Sequence, residues 1–314
     1  MGQLSFAEAE RIYRPHKHMH TVNKLPHFII IGAMKSATSS LQEQLVQQPG
    51  IFMCDPKEPN FFSDDEQYAK GMGWYTGLFS AAPNGSLLGE ASTHYTKLPT
   101  HPHTVARLKE HLPHARLIYV MRHPFDRLVS HYIHEWSMGV YRCDMEKAVE
   151  QYPELTTYGQ YALQLEPYFK AYGNDAILPV FFDHLIRYPQ MELERICKFI
   201  GYSGEPLWVN DCQPSNLSSE RIRRFPLYKL VIETEIATWL RRTLIPKGLR
   251  NAVKSRLTMR HRPVLGNDLH VELEAVFDQD LGHLGNFLGT ELNCGNFKKV
   301  TASKVLSWAA IDGK

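Results

Sequence analysis

With 314 residues, 43% of them hydrophobic, the chain can bury a large core as one large domain or two small ones, and its formal net charge of +2 excludes the global basic excess of a nucleic-acid binder. Five cysteines, odd in number and without Cys-x-x-Cys spacing, argue for a reducing compartment and against a structural zinc site. There is no signal-type apolar core near Met1 and no run of 18 apolar residues, so the expectation is a cytoplasmic protein without a spanning helix.

In chain order, residues 1–24 read as an N-terminal arm whose His-rich tract at 16–20 binds metal only incidentally. The segment 27–41, HFIIIGAMKSATSSL, reads as a buried strand over 28–31, a sharp turn at Gly32, a loop and a helix over 38–48 stopped by Pro49-Gly50. A helix start furnished with Ser36, Thr38, Ser39 and Ser40 attracts anions. The loop differs from the GxxxxGK[ST] loop of nucleoside triphosphatases: Lys35 lies three residues after Gly32, and Ala37 stands where flexibility is expected. A magnesium-dependent kinase is therefore disfavoured. Alone, Lys35 could equally be a solvated loop lysine.

The next segment, CDPKEPNFF, sets Glu58 between Lys57 and a phenylalanine pair. A carboxylate partly desolvated by aromatic rings suits a general base; its alternative is an ordinary ion pair with Lys57. Further strands are expected over 87–91, 116–121 and 177–182, and helices over 101–111, 125–138, 158–171 and 189–200, the last closed by Gly201. That alternation predicts an α/β fold of P-loop type, three layers with a central, mostly parallel sheet flanked by helices, within one domain over 25–314. Ligands of such sheets bind beyond the carboxyl ends of the strands. Arg122 follows the 116–121 strand and Ser130 lies two turns along the next helix, an arrangement that can grip one phosphate, although Arg122 could also pair at the sheet edge. Beyond Pro206 comes a helical C-terminal flank. Between Arg221 and Arg262 twelve Lys or Arg stand against two acids, a solvated surface or a wall facing an anionic ligand, an acidic acceptor or a membrane; an amphipathic segment follows over 269–288.

PHFIIIGAMKSATSSL, KEPNFF, GEASTHY and RLIYVMRHPFDRLVSHY together resemble the ordered landmarks of sulfotransferases that use 3′-phosphoadenosine 5′-phosphosulfate (PAPS), most closely the heparan-sulfate type and its bacterial relatives, over residues 26–201. The resemblance implies that Lys35 contacts the bridging oxygen of the phosphosulfate. It places Ser36, Ala37, Thr38, Ser39 and Ser40 in the 5′-phosphosulfate loop and Arg122 and Ser130 on the 3′-phosphate. Arg260 and Arg262 would close over that phosphate, and Glu58 would be the catalytic base. Glu90, with His94 behind it, is the reserve base. No metal is implied. Ala37 replaces a family glycine, Asn60 a histidine that supports the acceptor in some relatives, and Ala91 a lysine that binds acidic sugar in some. These departures weaken a sulfated polysaccharide as acceptor, and the lack of an anchor-like apolar run favours a bacterial-type cytosolic enzyme with a small-molecule, carbohydrate or lipid-linked acceptor. The alternatives are a nucleotide-dependent kinase, a non-catalytic anionic-nucleotide binder, and a membrane-surface protein using 221–262.

Overall fold

The computed structural model describes residues 24–209, 221–222, 258–259 and 261–309. Five strands form one sheet in the order β2-β3-β1-β4-β5, namely β1 Phe28–Gly32, β2 Ile51–Met53, β3 Leu87–Ala91, β4 Arg116–Met121 and β5 Ile177–Phe181. Every neighbouring pair in it is parallel, as the expected α/β fold with its parallel central sheet requires. A parallel sheet needs helical crossovers on both faces, and alternate residues of each strand feed the two cores. Phe28, Ile30, Ile118, Val120, Leu178 and Val180 face α1 (Thr38–Val46) and α10 (Pro189–Ile200), where Leu41, Leu45, Leu193, Ile196 and Ile200 meet them. Ile29, Ile31, Leu117, Tyr119 and Met121 face the other layer.

That second layer contains α2 (Asp65–Tyr68), α3 (Gly71–Gly77), α4 (Thr104–His111), α5 (Pro124–Met138), α6 (Met145–Gln151), α7 (Glu154–Thr157) and α8 (Tyr161–Tyr172). After β5 come α9 (Phe182–Arg187) and α10; the C-terminal part adds α11 (Asn267–Leu288) and α12 (Phe297–Ser303). The buried face of α11, Phe277, Leu281 and Leu284, completes this layer. Gln160 does not cap α8 with its side chain; the buried Asp280 of α11 does so, its two carboxylate oxygens accepting from Ala162 N and Leu163 N at 3.0 Å each. A two-residue antiparallel pair, Arg221–Ile222 with Thr258–Met259, is the described structure within 210–260. Among the described residues, no helix is long and apolar enough to cross a membrane.

A Cβ at Gly32 would collide with Thr96 Oγ1 and sit 2.9 Å from the Tyr119 ring, so this strand end admits glycine alone. On β5, Arg195 Nη2 donates to Pro179 O at 2.7 Å and Trp308 Nε1 donates to Ile177 O at 2.7 Å.

Candidate functional site

The segments that follow β1, β2 and β4 are joined by hydrogen bonds at the carboxyl end of the sheet. After β1 the chain turns through Lys35 (φ 69°) and Ala37 (φ 71°, ψ 22°) into α1. Ala37 offers no side-chain cap and the first turn of α1 holds no acid, so the positive end of this helix is not answered by its own N-cap side chain. Ser36 and Thr38 are buried beneath the loop, while Lys35, Ser39 and Ser40 remain partly exposed. Lys57, arriving from the segment after β2, donates to Ser39 Oγ. Burial lowers its proton affinity, and Glu58 opposes that shift.

Beyond β4, Arg122 Nη1 donates to Lys35 O at 3.4 Å, tying this strand end to the first loop. Its backbone is held by the Tyr161 hydroxyl, which donates to Arg122 O, and its guanidinium lies 4.6 Å from the Phe182 ring centroid. The Arg122 Nε is buried without a hydrogen-bond partner. Burial lowers the proton affinity of the guanidinium, with Asp126 pulling the other way. Asp126, in the first turn of α5, gathers further cations: Arg262 Nη2 at 2.8 Å and Lys298 Nζ at 2.6 Å. Ser130 is partly exposed one turn farther along α5. Arg260 lies outside the described residues.

The segment after β2 is folded back onto β3. Glu58 N donates to Ala91 O at 3.1 Å, and Asn60 N to Ser92 Oγ at 3.2 Å. Among the described residues the non-glycines with positive φ are Lys35, Ala37, Glu58 (54°) and Asn60 (53°), two in each of these loops. Such conformations cost about 1–2 kcal/mol each and collect where function over-determines the backbone. The Glu58 carboxylate is 32% exposed, 3.7 Å from Lys57 Nζ, and accepts from Thr93 Oγ1 at 3.3 Å. The phenylalanine pair does not give Glu58 the desolvated setting expected. Phe61 and Phe62 turn inward, fully buried against Tyr75 at centroid distances of 4.8 and 4.9 Å.

Glu90, expected as the reserve base, is fully buried, and the hydroxyls of Tyr75, Tyr95 and Ser92 all donate to its carboxylate. Burial raises its proton affinity; the three hydroxyls oppose this. A group so enclosed braces β3 against the aromatic layer and is closed off from solvent. His94 stacks on His101 with centroids 5.0 Å apart, and burial with neighbouring Lys97 brings its pKa down to about 3.

A family model for the sulfotransferase domain matches residues 25–266. The chain belongs to the sulfotransferase domain family. Relatives of this sulfotransferase domain match over shorter stretches. The chain is 38% identical over 105 residues to the membrane-associated sulfotransferase kil1 of Dictyostelium discoideum, covering 32% of this chain and 21% of that protein. It is 31% identical over 112 residues to the human bifunctional heparan sulfate N-deacetylase/N-sulfotransferase 2, covering 34% and 12%. It is 44% identical over 59 residues to the mouse heparan sulfate glucosamine 3-O-sulfotransferase 5, covering 18% and 17%. The match thus spans about a fifth or less of each relative. Among solved structures, a sulfotransferase from Alicyclobacillus acidocaldarius shares the fold with a TM-score of 0.59 at 23% identity, covering 86% of this chain and 98% of that one.

Within this sulfotransferase domain pairwise contacts link the predicted residues: Arg122 to the Lys35 carbonyl, Lys57 to Ser39 and Glu58, and Arg262 to Asp126 in the helix that follows Arg122. Two further cations, Lys57 and Lys298, join these contacts beyond the residues expected from the sequence. KEPNFF advertised Lys57; nothing local marked Lys298.

Proposed function

We propose that this domain transfers a sulfuryl group from PAPS to a hydroxyl of a small-molecule, carbohydrate or lipid-linked acceptor, with Glu58 as general base. The observation that carries the reading is the bond from Arg122 to the Lys35 carbonyl, which joins an uncapped helix start and a cationic strand end into one anion site. The residues fit the donor. Arg122 Nε is a buried donor awaiting an acceptor, and the opening turn of α1 together with Lys35, Ser39 and Lys57 provides positive charge for a 5′-phosphosulfate. Arg122 and Ser130, with Arg262 and Lys298 brought close by Asp126, would hold the 3′-phosphate.

PAPS supplies the sulfuryl group and a bisphosphate leaving group. Lys35 would stabilise the negative charge that grows on the bridging oxygen, the service that preorganised donors perform in other group transfers. Glu58 would accept the proton of the attacking hydroxyl, worth about 10²–10⁴-fold in rate. Thr93 and Lys57 hold its carboxylate in place.

Calorimetry of 3′,5′-adenosine bisphosphate against ADP, each with and without magnesium, tests the donor. Selective binding of the bisphosphate that needs no magnesium and is lost in Arg122→Ala supports the reading. Preference for ADP with magnesium sinks it and favours a kinase.

A further inference from the structure

Asp126, in the first turn of α5, is 27% exposed, and its two carboxylate oxygens serve partners from distant parts of the chain. Oδ1 accepts from Arg262 Nη2 at 2.8 Å, and Oδ2 pairs with Lys298 Nζ at 2.6 Å. Arg122 stands four residues earlier, just past the end of β4. An acid at a helix start is commonly no more than an answer to the helix dipole. Here both of its oxygens are taken by cations from outside the helix.

The second cation is delivered by a fixed element. Lys298 is the second residue of α12 and lies beyond residues 25–266, the stretch that the family model matches. The fully buried Phe297 beside it meets the rings of His123 and Phe181 at centroid distances of 5.8 and 5.9 Å. His123 Nε2 donates to Cys294 O at 3.0 Å, and Cys294 N donates to Asp278 Oδ1 at 2.6 Å. Asn293 and Asn296 accept from each other's backbone amides at 2.9 Å, which closes the entry to the helix. Arg262 is held less firmly, 53% exposed, with its segment tied by the bond from Gly266 N to Glu146 Oε1 at 2.9 Å. A second acid, Asp183 at the start of α9, accepts from Thr301 Oγ1 at 3.4 Å and also attracts Lys298. Arg122, Arg262 and Lys298 against Asp126 and Asp183 leave one positive charge in excess.

Resting on the sulfotransferase reading, we infer that Asp126 is a positioning residue for the donor's 3′-phosphate. Its carboxylate holds Lys298 and Arg262 at the start of α5, next to Arg122, so that a helix outside the matched stretch helps to read that phosphate. Neutralising Asp126 removes a negative charge from an anion site, yet it releases both cations. Affinity for the 3′-phosphate therefore falls.

Calorimetry on the full chain decides this, with 3′,5′-adenosine bisphosphate set against adenosine 5′-phosphate, which lacks the 3′ group. Wild type should favour the bisphosphate. Asp126→Asn and Lys298→Met should each weaken bisphosphate binding by about tenfold and leave adenosine 5′-phosphate within about twofold. The double variant should be weaker than Asp126→Asn by no more than about twofold, because the lysine has already been released. If Asp126→Asn binds the bisphosphate as tightly as wild type or more tightly, the carboxylate merely opposes the phosphate and the proposal is overturned. A loss shared equally by both nucleotides overturns it too, since that is what general damage to the fold would give. Should Asp126→Asn fail to fold, unchanged discrimination in Lys298→Met is still enough to overturn it. Failure of wild type itself to favour the bisphosphate would remove the donor reading and this role with it, whereas discrimination kept in wild type and in both variants strikes the role of Asp126 alone.

Discussion

Ala37 shows how a single residue carries tension between fold and function. At φ 71° its Cβ is strained, whereas glycine would rest there without cost. Ala37→Gly should raise stability by about 0.5–1 kcal/mol after allowance for the greater freedom of glycine in the unfolded chain, read as a higher urea midpoint at unchanged m-value. Glu58→Gln should lower PAPS turnover by about 10²-fold or more and leave adenosine bisphosphate affinity within about twofold. Turnover close to wild type in that variant would take the proton-accepting role away from Glu58. Glu90 could not inherit it, since it lies beneath three hydroxyl donors. The sequence could not reveal that enclosure, because Tyr75 arrives from a helix fifteen residues upstream.

Among the elements, the bond between α11 and α8 is the clearest target. Asp280→Ala would leave the Ala162 and Leu163 amides of α8 without their carboxylate acceptor, the first of them buried, at a cost of about 1–2 kcal/mol, visible as a lowered thermal midpoint. Strands β1, β3, β4 and β5 were legible to within a residue because each is an apolar run between turn signals. β2 was not, since three residues show no period. Helix α3 was hidden by its three glycines, and α6, α7 and α9 by their shortness. The helix expected over 101–111 begins at Thr104, after His101-Pro102, and that expected over 158–171 begins at Tyr161, where Asp280 can reach its amides. At the site, the segments after β1 and β4, proposed above to hold the donor's phosphates, could be read from local pattern. The bond from Thr93 to Glu58, distant in sequence, could not: it exists only once β3 places its turn beside the loop.

For the molecule as a whole, buried imidazoles shape the response to acid. Burial, reinforced by Arg127 and Lys97, holds His131 far below the usual imidazole range, and His94 is brought to about 3. Both are neutral when folded yet take up protons when unfolded below about pH 6.5, so stability is lost as pH falls through that window, by about 1.4 kcal/mol per unit for each group at most. Lys97 acts with the same sign at the other end, since the unfolded chain holds its proton from about 8 up to the ordinary lysine range and stability therefore rises with pH there. Urea midpoints should drop between about pH 7 and about pH 5, and drop less in His131→Asn. The outer strand β5 bears on a separate matter, the behaviour of many copies together. An open strand edge invites another chain to add itself by backbone bonding. Here the imide nitrogen of Pro179 has no proton to offer, and the carbonyls of Ile177 and Pro179 already accept from Trp308 and Arg195. The sheet therefore ends at β5 chemically as well as geometrically, and self-association by strand addition is denied a template on that side.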